Sequence, residues 1–297
     1  MATHDPNWKD QLFELVKPIL PAKLRGDIPI VPVVRLTGVI GESGMPLRAS
    51  VTLAATAKVL ERAFKTRHAR AVAIVINSPG GSPVQSHLIY RRIRELAAEH
   101  TLPVIAFVED VAASGGYMVA CAADEIVCDP SSIVGSIGVV GATFGFDKLI
   151  EKIGVERRVY TSGDRKVTLD PFLPEKADDV KRVKALQKTI HEGFIGLVKE
   201  RRGAKLTGPE KTLFSGEFWT GAQAMELGVI DSLGDLRGTL RGRFGDKVLT
   251  PLISPDRSML GRLRGAPGGS EVWHRAGLAD ELISAVETRA LWARYGL

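Results

Sequence analysis

Cysteine is nearly absent. The chain has two, Cys121 and Cys128, in 297 residues, and their spacing fits no metal site, so neither a disulfide-stapled scaffold nor a thiolate metal centre is indicated. Both fall in or beside an apolar run and read as small core residues of a reducing compartment, with a disulfide between them as the alternative. Histidine is scarce too: six occur in all, and none lies among the 51 positions from Gly115 to Arg165. No histidine–cysteine or carboxylate cluster argues for a metal, and no cofactor is implied. Aromatic residues make up only 6%. A basic stretch between 237 and 264 has Phe244 as its sole aromatic companion, which favours a solvated loop region over a nucleic-acid partner. No apolar run reaches the roughly 18 residues of a membrane-spanning helix. The start, Met1 to Pro6, lacks the basic-then-apolar pattern of a signal peptide, so a cytoplasmic location is expected, with a peripheral contact at the inner face of a membrane left open.

What is present suits a globular α/β enzyme. Hydrophobic residues make up 44% and the net charge is a modest +6, so a substantial core is available. Strand signals fall at 28 to 34, 71 to 76, 103 to 108 and 156 to 160, with helical patterns at 51 to 66, 83 to 99 and 114 to 122. That alternation predicts a mainly parallel sheet with helical crossovers. A long charged helix is expected from about 175 to 202, with Val180, Val183, Leu186, Ile190, Phe194 and Leu197 at helical spacing. Thr220 and Gln223 form a capping box for a helix ending at Gly228. The expected organisation is an amphipathic segment over 1–28, a core over 29–249, a Pro/Gly-rich linker over 250–269 and an amphipathic helix over 270–297. Within the first of these, Trp8, Leu12, Val16, Ile19 and Leu20 share one side. Its mixed charges favour docking on the core or a sister subunit over a membrane surface.

Chemistry concentrates around Ser114, in Ala112-Ala113-Ser114-Gly115-Gly116-Tyr117. An apolar helix follows, so Ser114 sits at a helix N-terminus, where unpaired N–H groups and the helix dipole favour developing negative charge. It is either a nucleophile or a helix cap. With histidine missing from the next 51 positions, a lysine could serve as base if burial lowered its pKa toward neutrality. Lys166 is the candidate, though a lysine among polar neighbours is ordinarily a solvated charge. The β-branched run 71 to 76 ends in Asn77-Ser78-Pro79-Gly80-Gly81. There Pro79-Gly80 fits a type II turn that would aim the Gly81 N–H outward as an oxyanion donor, with Gly115 N–H as the second. The run Ile133 to Gly141 is either an extended edge for a substrate backbone, with Ser136 available to an amine, or a glycine-interrupted core strand.

Together these segments resemble the SppA-type (signal peptide peptidase A) serine–lysine peptidases, relatives of the Clp protease and crotonase folds. The likeness runs from about residue 30 to 245. It includes Gly163-Asp164-Arg165-Lys166 and the stretch Phe214 to Ala224 as further motifs in the family's order. The resemblance implies a superhelix of ββα units and a serine endopeptidase acting on extended or unfolded peptide, signal-peptide remnants among them. It makes Ser114 the nucleophile and Lys166, 52 positions later, the general base. Ser136 orients the lysine amine, and Gly81 with Gly115 forms the oxyanion hole. A homo-oligomer is expected, in which Lys166 could reach a neighbour's Ser114. The histidine base of Clp protease is not matched, since the only later histidines are His191, in a helical stretch, and His274, in the tail. A crotonase-like acyl-CoA enzyme and an inactive scaffold of the same fold are the alternatives.

Overall fold

A computed structural model describes residues 28–41, 51–163, 165–255, 290, 292 and 293. The amphipathic run at 8 to 20, most of the linker, His274 and nearly all of the C-terminal segment lie outside the described residues. Seven strands form one sheet: β1 (Val33–Thr37), β2 (Val72–Ser78), β3 (Val104–Ala113), β4 (Glu125–Cys128), β5 (Ile133–Gly135), β6 (Phe218–Thr220) and β7 (Ser232–Leu233). The order is β1-β2-β3-β4-β7, with β5 on β3 and β6 on β5. All pairings are parallel except β5 with β6. Eight helices are described: α1 (Leu53–Phe64), α2 (Pro83–His100), α3 (Gly115–Ala120), α4 (Asp147–Lys152), α5 (Ala177–Arg202), α6 (Glu210–Leu213), α7 (Gly221–Glu226) and α8 (Leu236–Phe244). The mainly parallel α/β architecture is the expected one.

Sequence explains the layering. In β2, every residue but Asn77 is buried, as an apolar β-branched strand covered on both faces requires. Val34, Leu36, Ile74, Ile76, Ala106 and Val108 face the larger core, under α1, α2 and α3. Val33, Ala73, Val75, Ile105 and Phe107 face the smaller one, closed by Leu240 of α8. Thr52 caps α1 by accepting from the Ala55 N–H. Ser82 and Pro83 start α2, and Thr101 ends it with φ 52°. The expected capping box of Thr220 and Gln223 is present at α7.

β3 positions the site. Its residues 105–108 pair with β4, but 111–113 pair with β5. A register shift against β2 falls between these halves, so that Ile76 opposes Val108 while Ser78 opposes Ala112. The bulge ends β3 between the tips of β2 and β5.

Three expectations change. The strand placed at 28 to 34 begins at Val33, because Pro29 and Pro32 have no N–H to give a ladder. Residues 156 to 160 form no strand; they are exposed and irregular, with Tyr160 90% exposed, since three charged residues ahead of Val159 and Tyr160 leave no apolar face to bury and no described strand pairs with them. Of the run 133 to 141, only Ile133–Gly135 is a strand.

Behind α3 lies a buried polar network. Arg202, 4% exposed, donates to Gly228 O and, at 2.7 Å, to Asp231 Oδ2. Asp231 also accepts from Ile126 N–H and Lys205 Nζ. Burial alone would raise the Asp231 carboxyl, but the hydrogen bonds from Arg202, Lys205 and Ile126 outweigh it and hold it below its ordinary value. Arg201 donates to Cys121 O and Ala123 O at the C-terminal end of α3, and Tyr117 donates to Val229 O at 2.7 Å. The two free thiols are buried. Burial pushes Cys121 up to about 12 and raises Cys128 as well, which leaves both protonated and inert. Breaking a buried pair strands a charge, so Asp231→Ala is expected to lower stability by about 3–5 kcal/mol, read by urea unfolding. Because the folded carboxyl lies below the unfolded one, this contribution is complete above about pH 4. It fades as pH falls through the lowered value.

Candidate active site

Ser114 follows the last residue of β3 and precedes α3, with φ 51° and ψ −119°. For a residue with a Cβ, such a backbone costs about 1–3 kcal/mol and persists only where the surroundings impose it. They do: the Ser114 N–H donates to Gly135 O at 2.8 Å, and the neighbouring residues Ala112 and Ala113 are locked in ladders with Ser78 and Gly135. The Ser114 side chain makes no capping hydrogen bond, so the helix-cap reading fails and the half-buried hydroxyl is left for chemistry.

The β2 turn closes against it. Gly80 has the positive φ, 97°, that the turn requires. A Cβ there would stand 2.8 Å from both Gly115 N and Ser114 Cβ. Gly81, at φ 143°, has no room for a side chain either, since its Cβ would meet Ile40 O at 2.0 Å. As the first residue of α3, Gly115 has no intrahelical acceptor for its N–H. Its Cβ position lies 3.4 Å from Gly81 N and 2.2 Å from Ser86 Oγ. The amides of Gly81 and Gly115 are thus neighbours beside Ser114, as an oxyanion pair must be. Ser86, fully buried on α2 and bonded to Ser82 O, backs that pair. Its signal was invisible in the sequence, where it is one serine among polar neighbours.

Ser136 stands one residue past the Gly135 carbonyl that holds Ser114. It is 6% exposed, has φ 52° and donates its N–H to Glu217 O at 2.7 Å. The stretch Phe214 to Ala224 supports this edge through β6, where the Trp219 ring lies over Gly135 and would clash with a Cβ at 2.6 Å. Lys166 departs from the expectation of a desolvated amine. It is exposed in the single chain, on an irregular loop where its own N–H bonds Gly163 O. Among the described residues, no helix or strand covers this loop. In the preceding stretch of chain, Val140, Phe144, Ile153 and Val155 are 52% exposed or more. The fold therefore brings together Ser114, Gly81, Gly115 and the segment carrying Ser136, but not Lys166. His191 turns toward this region and bonds Ile137 O, which agrees with a structural role.

The comparisons with known proteins cover the stretch of chain that carries these residues. The family model for peptidase family S49 matches residues 97–242, and that for ClpP-like SDH-type serine proteinases matches 23–146. Ser114 and Ser136 fall within both. A putative protease of Synechocystis is 32% identical over 71% of this chain and 78% of its own length. The chain belongs to peptidase family S49. It is related to proteins named as SppA and SohB proteases. The chloroplastic serine protease SPPA of Arabidopsis thaliana is 33% identical over 69% of this chain and 31% of that one. A Brucella abortus protein named Na(+)/H(+) antiporter NhaA is 59% identical over 95% of this chain, which spans 39% of that protein's length. Among the described residues, no helix is long and apolar enough to cross a membrane.

Proposed function

We propose that this member of family S49 is an endopeptidase in which Ser114 is the nucleophile and Lys166 the general base, acting on extended or unfolded peptide. The observation that carries the reading is the strained, uncapped Ser114 set beside the Gly81 and Gly115 amides. Ser114 Oγ attacks the scissile carbonyl, and its proton passes to the Lys166 amine. The two amides hold the oxyanion, and the proton returns to the leaving nitrogen. Water then releases the acyl group from Ser114. Ser136 orients the lysine amine.

Exposure of Lys166 in one chain, together with the exposed apolar side chains of the preceding stretch from Val140 to Val155, favours a homo-oligomer in which a neighbour buries this loop and the amine enters that neighbour's site. The antiporter name of the Brucella relative is not carried over, because the peptidase-family matches fall on these same residues. A location in the cytoplasm or against a membrane is proposed on the sequence alone.

The reading is tested by incubating fluorescein-labelled casein and a tightly folded control protein with the enzyme. Casein should be cut while the folded control persists. Turnover of an acyl-CoA thioester with casein left intact would instead support the crotonase-like alternative. Gly115→Ala, which drives a methyl into Ser86 Oγ, is expected to lower kcat by roughly a hundredfold, the scale of losing one oxyanion donor. The same assay measures it.

A further inference from the structure

One contact to the active-site edge comes from a different element and has no role in the scheme above. α5 presents Gln187 and His191, four residues apart and so on one helix face, to the segment that follows β5. His191 Nε2 lies 2.9 Å from Ile137 O. A carbonyl oxygen only accepts, so Nε2 carries the proton and donates. One helical turn away, Gln187 Nε2 occupies the space beside Gly141 that a Cβ would enter, 2.8 Å from that position. α5 thus bonds the start of the run from Ile137 to Gly141 and lies against its end.

Ser136 sits just ahead of that grip. Its φ of 52° is a conformation that a residue with a Cβ keeps only under constraint. Two of its constraints are backbone bonds: its N–H to Glu217 O at 2.7 Å, and the Gly138 N–H to its own carbonyl at 2.9 Å. Another is the His191 bond to the next carbonyl along. It runs through a side chain, and it joins the edge to α5, whose C-terminal end packs behind α3. Ile137 is wholly buried, so its carbonyl needs an internal donor.

We propose that His191 is a positioning residue for Ser136: by holding the Ile137 peptide, it fixes the backbone from which the Ser136 hydroxyl reaches the lysine amine. This rests on the role given to Ser136 above. His191 touches neither substrate nor the reacting atoms, so its loss lowers kcat and leaves KM nearly unchanged. A side chain that returns a donor to the same point restores the rate.

The test is a mutant cycle with fluorescein-labelled casein, reading kcat and KM separately. His191→Ala is expected to lower kcat about tenfold, less than the hundredfold that a 1 Å misplacement can cost. In a Ser136→Ala background the same change should have little further effect, because the two act as one unit. His191→Gln, whose amide N–H can reach Ile137 O, should recover most of the rate, whereas His191→Asn, too short to reach, should not. This pair decides the matter even where His191→Ala fails to fold. Equal losses in the Gln and Asn variants, or the full tenfold loss repeated in the Ser136→Ala background, would overturn the proposal while leaving the dyad reading intact. An undiminished kcat in Ser136→Ala would remove the Ser136 role, and this proposal with it.

Discussion

Ser114→Ala is expected to abolish casein hydrolysis, lowering kcat by at least about a thousandfold, on the scale seen when the nucleophile of a serine peptidase is removed. The fold should survive, because the Ser114 hydroxyl caps nothing: no capping bond from it to α3 exists, and the backbone is held by Gly135 O instead. The opposite prediction follows from an ordinary helix cap, whose loss costs about 1 kcal/mol of stability and leaves chemistry untouched. Ser114→Gly sharpens the contrast. Glycine takes the φ of 51° without a Cβ penalty, so this variant should be as inactive as Ser114→Ala and more resistant to urea. A Ser114→Gly enzyme less stable than the wild type would show that the serine backbone stores no strain.

Lys166→Ala is the second large effect. If its amine takes the Ser114 proton, its loss should be nearly as damaging as loss of the nucleophile, since members of a catalytic unit are strongly non-additive. The exposed position of Lys166 adds a specific expectation. Ser114→Ala and Lys166→Ala chains, each inactive alone, should regain activity when mixed and allowed to exchange subunits, because some sites then receive an intact Ser114 from one chain and an intact Lys166 from another. Recovery is read with labelled casein and assembly by mass in solution. Failure to recover, in mixtures shown to exchange, would place the base within its own chain or assign it to another residue.

Local chemistry in the sequence marked much of this site. Pro79-Gly80 demanded a turn with positive φ, and the β-branched run before it demanded a buried strand; both are present. The small residues around Ser114 foretold the close approach that puts a Cβ on Gly80 within 2.8 Å of Ser114. Tertiary contacts were the part that local pattern could not carry. Ser86 carries no distinguishing signal in the sequence, and His191 is only a histidine in a helical stretch, until α2 and α5 are laid against the site. Val159 and Tyr160 gave residues 156 to 160 a strand signal, but a strand exists only with a partner, and none is found there among the described residues. Lys166 was expected to be desolvated because its proposed chemistry needs it. Desolvation is a property of whatever surrounds an amine, and this one is exposed, with no described helix or strand over it.

The most direct test of the central claim is the rate at which a fluorophosphonate modifies Ser114, followed by intact mass and peptide mapping in the wild type and in Lys166→Ala. A single adduct on Ser114 is expected in the assembled wild-type enzyme and none, over the same time, in Lys166→Ala. Modification of Ser114 at an equal rate in the two proteins would contradict it.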